Sequence, residues 1–326
     1  MHHLHELFPQ CKDTLPGIRL GSAPTPLRPL PEVSDGAAEI WLKDESGFGD
    51  GGWGGNKVRK LEWLIPEAKR RGRDTLLTVG GLGTNWGLAC ALYGREHGLK
   101  TVLALIDQPV DDHVRAQLER LELSGAEIHF THSKTRTILI APWLMLRHRP
   151  YYLPAGGSSA VGALGAVEIA LELAGQVKAG EIDQPSHVVT AVGSGGTAAG
   201  LLLGLHLAGL DTKVLAVVVN DTLRLDAKAL TGLARKSEAL LRSRGAVIPE
   251  PGVDASNLIV VEDQLGPGYG HSTEAAREAA ELASARFGLE LDPVYTAKAM
   301  AGLLDMNDGR LGNGTVVFVD TNGPRP

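Results

Sequence analysis

Short apolar, β-branched runs alternate with amphipathic stretches along nearly the whole chain. "DTLLTV", "TVLALI", "AEIHF", "HVVTAV", "KVLAVVV" and "GTVVFVD" read as strands. Continuous apolar runs of this length suit parallel sheets covered on both faces. Between them, "DDHVRAQLERLELSG" and "TEAAREAAELASARFG" place apolar residues at helical spacing, as a helix with one buried stripe requires. "TLRLDAKALTGLARKSEALLRSRG" reads as a further, mostly amphipathic surface helix. The alternation predicts an α/β protein with twisted, mostly parallel sheets flanked by helices.

One unit occurs twice in loose form. "LLTVGGLGTNWGLACALYGREHGLKTVLALI" and "HVVTAVGSGGTAAGLLLGLHLAGLDTKVLAVVV" both run strand, glycine turn, helix, strand. Two such units predict two domains with a cleft between them. The segment "RPYYLPAGGSSAVGALG" marks the crossing. The expected division is a large domain of residues 1–52 and 164–326 and a small one of residues 53–163.

Composition narrows the function classes. A chain of 326 residues exceeds one simple core. A net charge of −6 argues against nucleic acid or an anionic membrane surface as the main partner. Abundant glycine and few aromatics fit an α/β enzyme with tight strand–helix turns. Cys11 and Cys90 make no disulfide framework, so a reducing cytoplasm is the expected setting. No apolar run approaches the ~20 residues of a membrane-spanning helix, and "MHHLHELFPQ" has no secretory pattern. His2, His3 and His5 there have no matching ligands downstream. A mobile polar terminus is expected rather than a metal site, and no metal is expected elsewhere.

Two stretches carry chemistry. In "VVTAVGSGGTAAGLLLG", Gly193, Ser194, Gly195, Gly196 and Thr197 lie between a buried strand and a helix. Successive amide N–H groups before a helix N-terminus form an anion cradle, with the Ser194 and Thr197 hydroxyls at hand. Gly193, Gly195 and Ala198 also satisfy a dinucleotide fingerprint, with Asp221 after the next strand. A nicotinamide or flavin oxidoreductase is therefore a rival, though the fingerprint sits past mid-chain. No G-x-x-x-x-G-K-[ST] occurs. In "GGNKVRKLEW", Lys57 opens a helix behind glycines and Asn56. The helix dipole there lowers an amine's pKa. A phosphate cradle and a glycine-framed lysine together suggest pyridoxal phosphate, which needs an amine for a Schiff base; the dinucleotide reading leaves Lys57 unexplained.

The blocks "LKDESG", "GGNKVRKLE", "GTNWGLACA", "PAGGSSAVGALG", "VGSGGTAAGL", "GPGYG", "DPVYTAKAMAGL" and "DTNG" resemble the D-cysteine desulfhydrase and 1-aminocyclopropane-1-carboxylate deaminase family. The order matches from "APTPLRPL" to the C-terminal end. The resemblance implies the tryptophan-synthase-β-like fold, pyridoxal phosphate as cofactor, a small amino-acid substrate and a homodimer. It implies that Lys57 carries the cofactor and moves the substrate α-proton. Asn56 and Asn85 flank the cofactor, and residues Gly193 to Thr197 hold its phosphate. Tyr269 and Tyr295 match the family's active-site tyrosines. Thr296 stands where the cyclopropane deaminases carry Glu, which keeps the pyridine nitrogen protonated; Thr321 is a second candidate there. A neutral partner makes a weaker electron sink, which favours β-elimination over ring opening.

The pattern breaks at two places, the approach "GDGGWGG" to Lys57, longer and more glycine-rich than the family's usual one, and the asparagine motif. The family's usual Gln-Ser-Asn-His is here Gly83-Thr84-Asn85-Trp86. Thr84 keeps a hydroxyl for the substrate carboxylate, whereas Trp86 donates only through its indole N–H. Trp86, with Trp53 in the glycine-rich approach to Lys57, suggests a narrowed pocket, joined by Gly157 and Ser158. His271 is a candidate replacement for the missing imidazole. The expected activity is α,β-elimination on a small β-substituted amino acid, giving pyruvate, ammonia and a leaving group such as sulfide. The resemblance makes D-cysteine the leading substrate. Other reactions with the same cofactor (racemisation, β-replacement, cyclopropane deamination) and a cofactor-binding protein without turnover stand as alternatives.

Overall fold

A computed structural model describes residues 1–33, 38–50, 54–110, 112–307 and 309–321. Trp53, Gly51 and Gly52 of the approach to Lys57, and the last two residues of "DTNG", lie outside the described residues. Two sheets organise the rest. The six-stranded sheet contains β1 (Leu27–Pro29), β2 (Glu39–Asp44), β7 (His187–Val192), β8 (Lys213–Val218), β9 (Leu258–Val261) and β10 (Thr315–Asp320), in the order β1-β2-β10-β7-β8-β9. Only β1 is antiparallel to its neighbour. The four-stranded sheet, order β5-β4-β3-β6, is all parallel. Its strands are β3 (Thr75–Gly81), β4 (Lys100–Ile106), β5 (Glu127–His132) and β6 (Tyr151–Leu153). Parallel strands in both sheets agree with the α/β reading.

Ten α-helices are described: α1 (His3–Leu7), α2 (Asn56–Arg70), α3 (Asn85–Glu96), α4 (Asp112–Leu123), α5 (Lys134–His148), α6 (Leu164–Lys178), α7 (Gly196–Leu207), α8 (Ala227–Ser243), α9 (Glu274–Phe287) and α10 (Thr296–Met306). Helices α7 and α10 pack on strands of the six-stranded sheet, while α3 and α5 pack on those of the four-stranded one. Along β10, Val317 and Val319 face one core and Val316 and Phe318 the other, the period-two alternation of a strand. Helix α7 packs so closely on α6 that a Cβ at Gly204 would lie 2.5 Å from the Ala170 Cβ. Helix α2 sits equally close: a Cβ at Gly165 of α6 would lie 2.5 Å from the carbonyl of Arg59.

Charges buried behind α2 fix its position. Arg59 donates to both oxygens of Glu45, at 2.9 and 3.0 Å, and to Glu172 at 3.0 Å. Lys43 of β2 donates to Glu172 at 2.5 Å. All four side chains are at most 1% exposed.

The N-terminus overturns the expectation of a mobile tail. His2 and His5 are buried against Trp63, with ring centroids 4.6 and 5.2 Å away. Glu168 of α6 accepts the amides of His3 and Leu4 at 2.9 and 2.8 Å, an anionic cap on the first turn of α1. The physical reason is that Leu4, Phe8 and Cys11 are apolar and find a place in the core.

Candidate active site

A cleft of about 380 Å³ opens where the two sheets face each other. The carboxyl ends of parallel strands from both sheets feed it. Gly80 and Gly81 end β3, Gln108 follows β4, Gly193 follows β7, Asn220 follows β8 and Thr321 follows β10.

Lys57 enters from the first turn of α2. Gly55 precedes that turn at φ 99°, a conformation glycine adopts without strain, and no side chain caps it. Burial pulls the Lys57 ammonium below its ordinary pKa, against the opposing pull of the Asp292 charge. Among the described residues no carboxylate lies within ion-pair distance of its Nζ, which stands 5.7 Å from the Tyr295 ring centre. Beside it, Asn56 donates through Nδ2 to the Thr197 hydroxyl at 2.8 Å, while its buried Oδ1 has no hydrogen-bond partner among the described residues.

Facing α2, the loop Gly193–Gly196 leads into α7. Gly195 occupies the helix cap in the left-handed region, φ 86°. A Cβ on Gly193 would lie 2.7 Å from Tyr295 Cε1, so only glycine leaves that space open. Asn220 holds the Gly193 carbonyl at 2.7 Å. Ser158 accepts the Gly196 N–H at 2.9 Å and meets the Ser194 hydroxyl at 2.8 Å. Ser158, a candidate for the substrate pocket, thus supports the anion loop.

Two further walls close the cleft. The hydroxyls of Tyr269 and Tyr295 share a 2.5 Å hydrogen bond. Burial, then each tyrosine's partner and Asp292, push the Tyr295 phenol well above its usual pKa. Asp292 accepts the amides of Val294 and Tyr295, both at 2.8 Å, and so fixes the turn that presents Tyr295. Opposite, Thr84 caps α3 by accepting the Gly87 N–H at 3.1 Å, and Asn85 accepts from Gln117 of α4.

Trp86 lines the cleft yet is only 3% exposed. Its indole N–H donates to Thr78 at 2.9 Å, and its ring covers Gly157, where a Cβ would lie 2.5 Å from it. Gly157 is therefore packing beneath Trp86 rather than cleft surface. His271, the candidate replacement for the missing imidazole, is exposed and outside the cleft lining. Thr321 lines the cleft, whereas Thr296 is fully buried behind it, its hydroxyl accepting the Asp292 N–H at 2.8 Å. Asp221, the ribose candidate of the dinucleotide reading, accepts the Tyr269 N–H at 3.1 Å.

Several residues escaped the sequence reading. Lys60 lies one turn beyond Lys57 and donates to the Gly156 carbonyl at 2.9 Å. Its Nζ would lie 3.2 Å from a Cβ on Gly196, close to the anion loop. Burial and the neighbouring Lys57 charge pull Lys60 down to about 7. The three-residue spacing from Lys57 was the available signal, since it puts both amines on one helix face. Asp292, Gln108 and Asn220 carried no local signal: only the fold brings them here.

Comparison with known proteins gives one consistent picture. Residues 18–322 match the family described as pyridoxal-phosphate dependent enzyme. The chain is 34% identical over 337 residues to the D-cysteine desulfhydrase of Salmonella newport (strain SL254), covering 99% of this chain and 96% of that one. The Salmonella enteritidis PT4 (strain P125109) enzyme of the same name matches to the same extent. Among solved structures, an ACC deaminase homologue superposes with a TM-score of 0.82 at 28% identity, over 99% and 95% of the two chains. A threonine deaminase from T.th., at 20% identity and a TM-score of 0.68 over 99% and 98%, shares the fold.

The cleft fits the cofactor. It holds a buried amine with lowered pKa, an unpartnered Asn56 oxygen, a glycine loop that a Cβ would fill and a second buried cation next to that loop. By its full-length similarity, and with a cleft of matching chemistry, the chain belongs to the pyridoxal-phosphate-dependent enzyme family.

Proposed function

We propose that the protein is a lyase that removes the β-substituent of a small amino acid, with D-cysteine as substrate and sulfide, pyruvate and ammonia as products. The observation that carries this is the meeting of the Lys57 amine, the anion loop and the Tyr269–Tyr295 pair in one cleft. Bound pyridoxal phosphate supplies a carbonyl for the amines and an electron sink that acidifies the substrate Cα–H. The anion loop, Asn56 and Lys60 hold the phosphate end. Asn85 and Thr321, both in the cleft lining, would hold the ring, with Thr296 buried behind Thr321.

Lys57, whose pKa burial lowers, accepts the α-proton on Nζ. The substrate carboxylate lies against the amino end of α3, where the helix dipole and the Thr84 hydroxyl favour an anion. The paired tyrosines, whose raised pKa values keep them protonated, donate to the departing sulfur. Trp86, with its N–H engaged by Thr78, shapes the pocket without moving a proton.

Replacing Lys57 by alanine tests this reading. Sulfide release from D-cysteine and the visible absorbance of lysine-linked cofactor should both disappear. A Lys57→Ala protein that retains either overturns the assignment of Lys57. No sulfide from the wild type, with ammonia from another amino acid in a panel of D- and L-forms, would overturn the substrate.

The same reading extends to domains, assembly and setting. Residues 53–163 are taken as the small domain, and residues 1–52 and 164–326 as the large one. Two copies are taken to associate through the outer face of α5, where Ile138, Leu139 and Leu146 are 71%, 72% and 77% exposed. Cys11 and Cys90 are both free and buried, in keeping with a cytoplasmic enzyme. No described helix is long and apolar enough to cross a membrane.

A further inference from the structure

The far edge of the four-stranded sheet holds a group of side chains that the cleft does not use. Glu127 and His129 point to the same face of edge strand β5, being two residues apart. His148, the last residue of α5, reaches the same spot from the helix. His129 Nε2 lies 2.8 Å from Glu127 Oε1, and His148 Nε2 lies 3.3 Å from that same oxygen. The two imidazoles and the carboxylate have ligand atoms all within 4.8 Å of one another.

We propose that Glu127, His129 and His148 form a site for a divalent transition metal, zinc(II) foremost, that ties the end of α5 to the edge of the sheet. Two imidazole nitrogens and one carboxylate oxygen are a donor set for zinc, copper or nickel rather than for calcium or magnesium. Donors on a tetrahedral zinc stand about 3.4 Å apart, given metal–ligand bonds of about 2.1 Å. The two measured separations, 2.8 and 3.3 Å, fall short of that value by little, so small side-chain rotations suffice.

A second observation separates this group from an ordinary ion-pair cluster. His148 Nε2 is buried and has no hydrogen-bond partner among the described residues, although the Glu127 carboxylate is 3.3 Å away. A buried unpartnered nitrogen is costly, and a metal would satisfy it. His129 is braced by an edge-on contact with Trp143, 5.8 Å between ring centres. Glu127 and His148 also border a cavity of about 350 Å³, which gives a water ligand room to complete the coordination. The edge position gives the tie a purpose. Strand β5 pairs on one side only, and α5 leaves much of its apolar face uncovered.

The test uses holoenzyme stripped with a chelator, dialysed and titrated with zinc chloride by calorimetry, without any amino acid present. One equivalent should bind, saturating zinc should raise the melting temperature, and zinc-edge X-ray absorption should count two imidazoles. His148→Asn and Glu127→Gln should each weaken binding by at least about tenfold, since loss of a direct ligand exceeds the 10–100-fold cost of losing a supporting contact. Both should remove the thermal gain. His3→Gln, on the distant α1, serves as a control that leaves all three readouts unchanged. His129→Asn, on a more exposed side chain, is the alternative if His148→Asn fails to fold. No zinc uptake, unchanged affinity in the His148 or His129 variant, or fewer than two imidazoles on the metal overturns the proposal.

Discussion

Glu172→Gln probes the buried charges that anchor α2, and with it Lys57. Glu172 accepts from Lys43 at 2.5 Å, from Arg59 at 3.0 Å and from the Thr25 amide at 2.6 Å. Burial alone would raise its pKa, but the charges of Arg59 and Lys43 outweigh that and hold it at about 2 rather than 4.5. At 1.36 kcal/mol per unit, the folded state gains about 3 kcal/mol from the ionised group. A carboxamide of the same shape loses this gain and turns an N–H₂ toward one of the two cations. The expected loss is about 3 kcal/mol at neutral pH, in the range for breaking a buried pair from one side.

Urea unfolding followed by tryptophan fluorescence measures this loss. The sign follows from linkage. The depressed pKa means that the unfolded chain takes up the proton first, so the contribution is complete above the unfolded pKa and fades as pH falls toward about 2. The gap between wild type and variant should therefore narrow by roughly 1 kcal/mol between about pH 7 and about pH 4. The double variant Lys43→Met, Glu172→Gln removes one of the stranded cations and should recover part of the loss. A gap under about 1 kcal/mol at neutral pH, or one that stays constant down to about pH 4, refutes the reasoning.

Three other outcomes follow from the same coordinates. Lys60→Met should weaken inorganic phosphate binding to cofactor-free protein and flatten its pH dependence; the wild type should lose affinity as pH rises through about 7, where Lys60 discharges. Calorimetry at several pH values checks this. Burial raises Glu62 to about 8, so the folded chain holds a proton that the unfolded one releases. Wild-type stability then falls by roughly 2 kcal/mol from about pH 6 to about pH 8 on this account, and Glu62→Gln should lack that fall in urea titrations. Gly165→Ala should cost about 1–3 kcal/mol in thermal unfolding, because the new methyl meets α2 backbone that cannot turn aside.

The strands were legible where the chain is uniformly apolar. "HVVTAV" and "KVLAVVV" became β7 and β8 because both faces of that sheet are buried. Strand β2 was not legible, since "EIWLKD" carries a lysine whose burial makes sense only beside Glu172 and Gln176 of α6. The same holds for His2 and His5, polar by type and buried through Trp63 and the Leu15 carbonyl. In the cleft, Lys57 and the glycine loop announced themselves through local conformation. Asp292 and Asn220 act by hydrogen-bonding backbone at the ends of distant elements, which no local pattern encodes. Trp86 was ambiguous in sequence because only Thr78, on a neighbouring strand, decides where its N–H points.

The strand order has a consequence for how the chain is made. The four-stranded sheet is built from one continuous stretch, residues 75–153, and can assemble while the remainder is still being synthesised. The larger sheet cannot. Its third position is taken by β10, later in the chain than every other strand, which pairs with β2 on one side and β7 on the other. Until β10 emerges, β2 and β7 present unpaired edges, open to association with other chains. Folding of this half is thereby postponed until Thr315–Asp320 has been translated, and a nascent chain stalled before Thr315 would be the species most in need of a chaperone.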